Sequence, residues 1–555
     1  MKERLLRSAA IAALALAASA TSLANGYAYD DRLIVSENRR IHTLDNAASL
    51  FSQTYWPEEN GAALYRPVTM LAFAAEWAAG GGSPRVFHAV NVMLYVAATL
   101  LVLWVAGMLL PPLAALAAAA LFAVHPVHVE AVGNVVGQAE LLAAVALLAG
   151  VGLYLRDRMG GELRLSTTLG VAALYVIACL SKEQGIILPG LLALAELTVV
   201  ANAGDLRRRA ARTWRLYGLL AAIALVYFVV RANVVGGLAG EFVLLPLAGA
   251  SFATRLLTMF RVATEWGRLL IWPARLSGDY SPREIEIATT ITPSVISGIA
   301  MVLCALALIV LTWRRRPVIA FALGWVALSL APVSNLVVTS GYLLSERTMF
   351  TPSAGIVLLV GAVVALLMEV ARRSAESGES MPGWRAARAA GVAVLAFLLI
   401  AGTVRSAMRQ RVWRSNDAFF DQLAIDAPLS YRAHWATGAR HFEAGRPGLG
   451  EREMRYAIAL FPNDPELLED LATRYLRAGI CKPATELFRE TLALTPERAT
   501  SRMGLVACLM REGHYTDAAA EARVGLRYGA YHSQLARLRD VADSLARVKR
   551  TAGPS

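Results

Sequence analysis

The chain has 555 residues, of which 56% are hydrophobic and 17% are charged. Soluble globular proteins average about 25% charged residues, so the composition excludes a wholly soluble protein and predicts that most of the chain faces lipid. The net charge of +12 does not indicate nucleic-acid binding, because the arginines cluster in short connections between apolar segments, where they report membrane topology.

The first apolar run follows three basic residues and ends near Ala24. It fits either a cleaved signal peptide or an uncleaved first span of about 20 residues. In both cases the residues that follow leave the cytoplasm. Asp30 and Asp31 are therefore predicted at the boundary between lipid and water. One carboxylate there could accept the proton of an attacking hydroxyl while the other orients it; the alternative is a solvated loop or a helix cap.

An outer loop at 25–85 contains Tyr55-Trp56-Pro57, Tyr65-Arg66-Pro67 and a short interfacial helix predicted over 68–79. Together with 1–24, ten further apolar segments make about 11 predicted membrane spans. These segments are 87–110, 113–124, 135–155, 166–180, 186–200, 214–230, 291–313, 318–330, 350–368 and 390–404. A second outer loop at 234–290 carries Arg255, Arg261, Arg268 and Arg275 among apolar residues, which predicts an amphipathic helix on the membrane surface.

The arginine-rich connections test this topology. Dense clusters occur at 156–164, 207–215, 314–316 and 372–388. With eleven spans and no crossing in the 255–275 stretch, all four fall on the inner side, as positive charge in short loops does. The C-terminal part then begins on the outer side of the membrane.

The C-terminal part shows an internal repeat. Pro428, Pro462 and Pro496 recur every 34 residues, and a glycine series from Gly445 to Gly513 has the same spacing. A helical period of 34 residues is the tetratricopeptide signature. The predicted architecture is all-α, with a polytopic membrane domain at 1–410 and a tetratricopeptide-repeat α-solenoid at 411–550. The solenoid would hold about three repeats from Tyr431 to Ala530 and a capping helix over 530–550.

Polar residues gather at the outer ends of the predicted spans. Ionisable groups at membrane depth are costly and mark sites or pathways, so these residues are candidates for binding the phosphate or sugar of a lipid-linked substrate. Among them, Lys182 and Arg347 are the hydrogen-bond donors best suited to bind a phosphate. Each alone could instead be a cation that reaches from the end of a span to water. The full candidate set is Arg66, His125, His128, Glu130, Gln138, Lys182, Glu183, Gln184, Asp279, Tyr280 and Arg347.

No metal site is predicted. His125, His128 and a carboxylate could bind a metal, but Pro126 breaks their helical spacing, which favours hydrogen bonding to sugar or phosphate. No cofactor is predicted either, and a divalent metal beside Asp30 and Asp31 is a less favoured alternative.

Several sequence motifs together resemble one family, the transmembrane and tetratricopeptide-repeat-containing (TMTC) O-mannosyltransferases, a branch of the GT-C glycosyltransferases. The motifs, in the order that the family has them, are Tyr29-Asp30-Asp31, Tyr65-Arg66-Pro67, Phe87-His88-Ala89-Val90-Asn91, His125-Pro126-Val127-His128-Val129-Glu130-Ala131-Val132, Lys182-Glu183-Gln184-Gly185, Asp279-Tyr280-Ser281 and Ser345-Glu346-Arg347. The resemblance implies a GT-C-like enzyme that uses a polyprenyl- or dolichyl-phosphate sugar, with acidic residues of the first outer loop serving the reaction. Two features depart from the family: Gln138 stands where an arginine is usual, and the repeat array is short, so the acceptor can differ.

The sequence is therefore interpreted as an inverting glycosyltransferase of the bacterial inner membrane. It would move a sugar, mannose by resemblance, from the lipid phosphate to a hydroxyl of a protein acceptor that the repeats recruit on the periplasmic side. Asp30 or Asp31 would be the base, and Lys182, Arg347 and a histidine would hold the phosphate. The alternatives are a flippase or transporter of lipid-linked sugars and a membrane-anchored tetratricopeptide scaffold. The sugar, the acceptor and the choice between the two aspartates stay open.

Overall fold

The computed structural model describes residues 2–57, 64–200, 204–237, 247, 249–376, 384–529 and 531–551. Within these ranges the chain forms helices and connecting segments with no strand, so the predicted all-α class is confirmed. The two outer loops are described in part, because 58–63, 238–246 and 248 lie outside these ranges, as does Ala530 at the end of the repeats.

The chain divides into two compact units. The first contains Met1–Tyr280 and Ile285–Gln422, and the second contains Ser281–Glu284 and Leu423–Ser555. The first unit thus continues through residue 410, where the sequence placed the domain boundary. All of the candidate site residues belong to the first unit.

Each predicted span of the first unit corresponds to an observed helix. The helices of this unit are α1 (Lys2–Ser19), α2 (Pro67–Gly80), α3 (Pro84–Leu109), α4 (Pro112–Ala123), α5 (Val129–Gly133), α6 (Gln138–Met159), α7 (Leu165–Ser181), α8 (Leu188–Thr198), α9 (Leu206–Val235), α10 (Phe252–Ile271), α11 (Pro293–Thr312), α12 (Pro317–Leu330), α13 (Phe350–Glu376), α14 (Trp384–Arg409) and α15 (Asn416–Asp426), the last of which continues into the second unit.

Seven helical segments of the described residues are long and apolar enough to cross a membrane, and an eighth span results if Pro112–Ala123 and Pro126–Gly133 form one bent span. Leu165–Ser181 and Pro317–Val333 are shorter apolar helices. At about 1.5 Å per residue, α8 is too short to cross a hydrocarbon core of about 30 Å by itself. The chain is therefore an integral membrane protein, while the count of eleven crossings stays a prediction.

Small residues let the apolar helices approach closely. α4 is rich in buried alanine, and α13 packs on it through Gly361. A Cβ atom at Gly361 would lie 2.6 Å from the Leu110 side chain and 3.1 Å from the Ala114 carbonyl oxygen. Because lipid is as apolar as leucine, close backbone packing of this kind is a main source of helix association in membranes.

The predicted amphipathic helix of the second outer loop is α10. Ser251 caps its N-terminus by accepting a hydrogen bond from the Thr254 N–H. Its apolar face is buried through residues such as Val262, Trp266 and Leu269. The helix ends at Ile271, so Arg275 lies beyond it rather than on its polar face.

The second unit contains the tetratricopeptide solenoid. Its helices are α16 (Tyr431–Glu443), α17 (Pro447–Leu460), α18 (Pro465–Arg477), α19 (Cys481–Leu494), α20 (Ala499–Arg511), α21 (Tyr515–Leu526) and α22 (His532–Thr551). Gly445, Gly479 and Gly513 each turn the chain between the two helices of a repeat with φ of 70°, 80° and 76°. This left-handed conformation favours glycine, which explains the second 34-residue series in the sequence.

Candidate active site

The segment that carries Asp30 is fixed by the residues after α14. The Tyr29 N–H donates to the Asn416 side-chain oxygen at 2.6 Å, and its ring stacks on Phe419 with centroids 4.9 Å apart. Tyr29 has a φ of 54°, which is strained for a residue with a bulky side chain. Strain of this kind persists only where the surroundings enforce it. The contacts of Tyr29 therefore set the direction in which the Asp30 side chain projects from the backbone.

Asp30 forms an ion pair with Arg347. The Arg347 Nη1 lies 3.3 Å from the Asp30 Oδ2, and the Asp30 side chain keeps 14% of its surface exposed. Arg347 also contacts Glu130: its Nε lies 3.6 Å from the Glu130 Oε1, and its backbone N–H donates to the Glu130 Oε2 at 2.9 Å. Asp30 is thus a partly accessible carboxylate held beside a cation.

Asp31 has a different environment from its neighbour. It is fully buried, and its two oxygens accept hydrogen bonds from the backbone N–H groups of Val136 at 2.9 Å, Ala28 at 3.2 Å and Val135 at 3.3 Å. Burial raises the pKa of Asp31 to about 7, while these N–H donors act in the opposite direction. These bonds attach the 25–85 loop to the segment before α6, and a catalytic role for Asp31 stays a prediction.

Two further cations are paired with carboxylates nearby. Lys182 follows α7 and donates a short hydrogen bond to Glu140 at the start of α6; both side chains are buried. Burial lowers the pKa of Lys182, and Glu140 acts against this shift. Arg66 binds Glu183 through two nitrogens, with the Arg66 Nη2 2.8 Å from the Glu183 Oε2. Burial tends to raise the pKa of Glu183, but Arg66 outweighs it and holds this pKa below its usual value.

These ion pairs share one neighbourhood, and Tyr342 lies within it. The positive charges of Arg66 and Arg347 both act on Lys182. Burial raises the pKa of Tyr342 to about 12, with Arg347 and Arg66 lowering it and Glu140 and Glu183 raising it. We define the ion-pair cluster as the three cations and four carboxylates of this neighbourhood: Arg66, Lys182, Arg347, Asp30, Glu130, Glu140 and Glu183.

The two predicted histidines have protein partners at their ring nitrogens. His125 contacts the Leu270 carbonyl oxygen at 3.1 Å through Nε2 and accepts from the Val127 N–H at 3.3 Å. His128 contacts the Tyr95 hydroxyl at 3.1 Å and the Ser353 hydroxyl at 2.8 Å. In the structure both rings connect helices, and their predicted contact with the donor stays a prediction.

The remaining predicted residues differ in their surroundings. Gln138 donates a short hydrogen bond to Glu76, and burial raises the pKa of Glu76 to about 8. The Tyr280 hydroxyl donates to the Glu346 Oε1 at 2.7 Å. Asp279 forms a local turn in which its backbone N–H donates to the Ser277 hydroxyl at 3.3 Å.

Gln184 is buried, and neither polar atom of its side chain has a hydrogen-bond partner in the part of the chain that the structure describes. Its neighbour Gly185 lies against the end of α7, where a Cβ atom would be 2.3 Å from the Ala178 carbonyl carbon. The 182–185 segment is therefore packed closely against the end of α7. Among the described residues, no group of three or more His, Cys, Asp and Glu side chains is placed to hold a metal ion.

Three residues of this region were not among the predicted site residues, although Glu140 and Tyr55 belong to the polar and aromatic motifs of the sequence. Glu140 and Tyr342 lie close to the motifs in sequence, at two residues after Gln138 and three before Ser345, but their roles depend on contacts between distant segments. Tyr55 lies under the Arg66 guanidinium, whose carbon is 5.0 Å from the ring centroid. The Tyr55-Trp56-Pro57 motif was the available signal for this residue.

The fold and the ion-pair cluster define a class: an all-α, polytopic membrane protein with charged residues collected at the ends of its helices and a tetratricopeptide solenoid after them. The chain is 27% identical to human protein O-mannosyl-transferase TMTC3 over 61% of its length and 40% of the relative's. It is 26% identical to mouse TMTC4 over 77% of its length and 62% of the relative's. The resemblance to the TMTC protein O-mannosyl-transferases is thereby confirmed.

The chain spans less than two thirds of the length of these relatives. A scan of protein-family models gave no match. Among solved structures, the archaeal oligosaccharyltransferase AglB from Archaeoglobus fulgidus, in complex with an inhibitory peptide and a dolichol-phosphate, aligns with a TM-score of 0.45 and 15% identity. That alignment covers 73% of this chain and 55% of AglB.

Proposed function

We propose that the protein is a membrane glycosyltransferase that moves mannose from a polyprenyl- or dolichyl-phosphate carrier to a hydroxyl of a protein acceptor. The observation that carries this proposal is the partly exposed Asp30 carboxylate on Arg347, inside the ion-pair cluster, in a chain similar to curated protein O-mannosyl-transferases. A flippase would need a polar path through the bilayer, whereas these residues gather at helix ends.

The chemical step is a single displacement. The acceptor oxygen attacks the anomeric carbon, the bond from that carbon to the phosphate oxygen breaks, and the electron pair leaves with the phosphate. Asp30 takes the proton of the acceptor hydroxyl. A phosphate leaving group needs no general acid, and one displacement inverts the anomeric configuration.

Arg347 is the cation best placed to bind the donor phosphate. The cluster has three cations and four carboxylates, so an entering phosphate must compete with a carboxylate for its cation. Lys182 and Arg66 are closely paired with one carboxylate each. The Arg347 guanidinium instead contacts two carboxylates at longer distances, with Nη1 3.3 Å from the Asp30 Oδ2 and Nε 3.6 Å from the Glu130 Oε1. Phosphate binding to Arg347 would release Asp30 to accept the proton.

The active site is proposed to lie on the outer side of the membrane, which in a bacterium is the periplasmic side. Glu140 and Arg158 are 18 residues apart on α6, or about 27 Å along the helix axis. Arg158 pairs with Glu196 at 2.6 Å near the end of α8, beside the arginine-rich connections. That helix end therefore fits the inner side, and the ion-pair cluster is at the opposite end of α6.

Cysteine labelling tests this topology. On a cysteine-free background, a membrane-impermeant thiol reagent added from outside should modify a cysteine at Pro462 and leave one at Arg208 unmodified. Both positions are exposed on the protein surface, so accessibility to the reagent reports the side of the membrane. Modification of both positions in sealed vesicles would contradict the proposed topology.

Transfer itself is tested with purified protein in liposomes. Radiolabelled polyprenyl-phosphate mannose and a periplasmic protein extract should yield labelled protein, whose linkage is then analysed for inversion. The assay is run with and without EDTA, because metal independence is a prediction. Movement of the donor across the bilayer without any labelled protein would instead support the flippase alternative.

The repeats are proposed to recruit the acceptor polypeptide, because solenoids of this kind present an extended concave surface. Excess isolated fragment 423–551 should then reduce labelling by competition. Undiminished labelling with a folded fragment would remove recruitment from the proposal and leave transfer intact.

A further inference from the structure

Tyr55, in the first outer loop, has a buried hydroxyl group with no hydrogen-bond partner. Its side chain is 1% exposed, and the hydroxyl oxygen contacts no donor or acceptor among the described residues. The backbone is well held, since its N–H donates to the Leu64 carbonyl oxygen at 2.6 Å and its own carbonyl oxygen accepts from the Arg40 Nη2 at 3.3 Å. A buried phenol without a partner is unfavourable, but other buried tyrosine hydroxyls of the described residues share this feature, so the charged surroundings of Tyr55 are what point to a ligand.

The surroundings of this hydroxyl are those of the proposed active site. The Arg66 guanidinium lies over the Tyr55 ring, and the same guanidinium binds Glu183. The charges of Arg66, Arg347, Asp30 and Asp31 all act on the Tyr55 hydroxyl. The phenol group is therefore within electrostatic reach of both cations and of the proposed base.

A second buried polar group directly follows a member of the same cluster in sequence. Gln184 is 3% exposed, and neither its Nε2 nor its Oε1 has a hydrogen-bond partner among the described residues. Gln184 is the residue after Glu183, the carboxylate that binds Arg66. Buried polar groups are normally hydrogen-bonded, so the Gln184 amide, like the Tyr55 hydroxyl, is open to a hydrogen bond from a ligand.

We infer that Tyr55 contacts the substrate, donating its hydroxyl hydrogen to a phosphate oxygen of the lipid-linked donor. This inference rests on the proposed function. A phosphate fits better than a sugar hydroxyl, because Arg347 can exchange a carboxylate for a phosphate oxygen, as proposed above, and its charge acts on the Tyr55 hydroxyl. The hydrogen bond would strengthen as negative charge builds on the departing phosphate, which stabilises the transition state more than the bound donor.

Tyr55→Phe tests the inference, since it removes the hydroxyl oxygen and preserves the ring under Arg66. Binding of undecaprenyl phosphate to the full-length, detergent-solubilised protein is measured by microscale thermophoresis, with unfolding temperature measured in parallel. We expect the affinity of Tyr55→Phe to fall about tenfold, as for loss of a hydrogen bond to a charged group. Its ligand-free unfolding temperature should equal or exceed that of the parent protein.

Tyr217→Phe is the matched control. The Tyr217 hydroxyl is also buried, but it lies among Glu196, Tyr154 and Arg158, at the other end of α6 from the cluster, so its removal is a comparable change outside the proposed site. This variant should bind undecaprenyl phosphate as the parent does. A loss of affinity equal to that of Tyr55→Phe would mean that the effect is not local to the site and would overturn the inference.

The remaining outcomes separate the inference from the proposed function. If the parent protein binds no undecaprenyl phosphate, the proposed donor fails, and the role of Tyr55 fails with it. If the parent binds and Tyr55→Phe binds equally well, only the role of Tyr55 is overturned. A lower ligand-free unfolding temperature for Tyr55→Phe would show that the hydroxyl has a structural role, which also contradicts the inference.

Discussion

Replacing Asp30 with asparagine should lower the rate of sugar transfer by about 10²–10⁴-fold, the usual contribution of a general base. Asparagine has nearly the same shape but cannot take the proton of the acceptor hydroxyl. Asp30 is partly exposed and lies at the edge of the ion-pair cluster, so the protein should still insert, fold and bind lipid phosphate. The measurements are single-turnover transfer in liposomes and binding of undecaprenyl phosphate.

Asp31→Asn is the control for this prediction, because it makes the same chemical change at the adjacent residue. The two oxygens of the Asp31 carboxylate accept hydrogen bonds from three backbone N–H groups. Asparagine keeps one of these oxygens and replaces the other with an NH₂ group, which cannot accept a hydrogen bond. We expect a loss of stability of about 0.5–1.5 kcal/mol, the usual net contribution of a hydrogen bond, because the cost of burying this carboxylate offsets part of what the three donors contribute. If Asp30→Asn transfers sugar normally and a stably folded Asp31→Asn does not, Asp31 is the general base and Asp30 is not.

The contrast between these aspartates shows where sequence reasoning stopped. The sequence shows that the two aspartates are adjacent and that they follow the first apolar run. It does not show that their side chains project from the backbone in different directions. The direction depends on Tyr29, whose positive φ is enforced by Asn416 and Phe419 nearly 400 residues later. No local pattern carries that information.

The parts that could be predicted are those with a local period. Apolar runs predicted spans that the structure forms as helices, and the 34-residue spacing predicted the solenoid. Both predictions were possible because each feature repeats within a short stretch of chain. The ion pairs could not be predicted, since Lys182 meets Glu140 and Arg66 meets Glu183 only after the helices pack. The ring partners of the histidine motif were equally out of reach of the sequence, since Leu270 and Ser353 are distant along the chain; the predicted contact of these histidines with the donor stays a prediction.

The buried pair of Lys182 and Glu140 should give the second large effect. Lys182→Met preserves most of the volume of the side chain and leaves the Glu140 carboxylate buried without its cation. Breaking a buried pair on one side costs about 3–5 kcal/mol, so this variant should be strongly destabilised in detergent unfolding measurements. A loss of donor binding in this variant alone would therefore not identify a phosphate contact.

The double variant Lys182→Met with Glu140→Gln separates the two roles. Without either charge, the site should recover most of the parent stability, because replacing both members of a buried pair is often nearly neutral. We expect the affinity for undecaprenyl phosphate to stay low, since the cation that would help to hold the phosphate is still absent. Arg158→Met with Glu196→Gln removes a comparable buried pair from the other end of α6 and should leave this affinity unchanged. If the Lys182 and Glu140 double variant recovers both stability and donor affinity, Lys182 serves only to neutralise Glu140, and the phosphate depends on Arg347 and Arg66 instead.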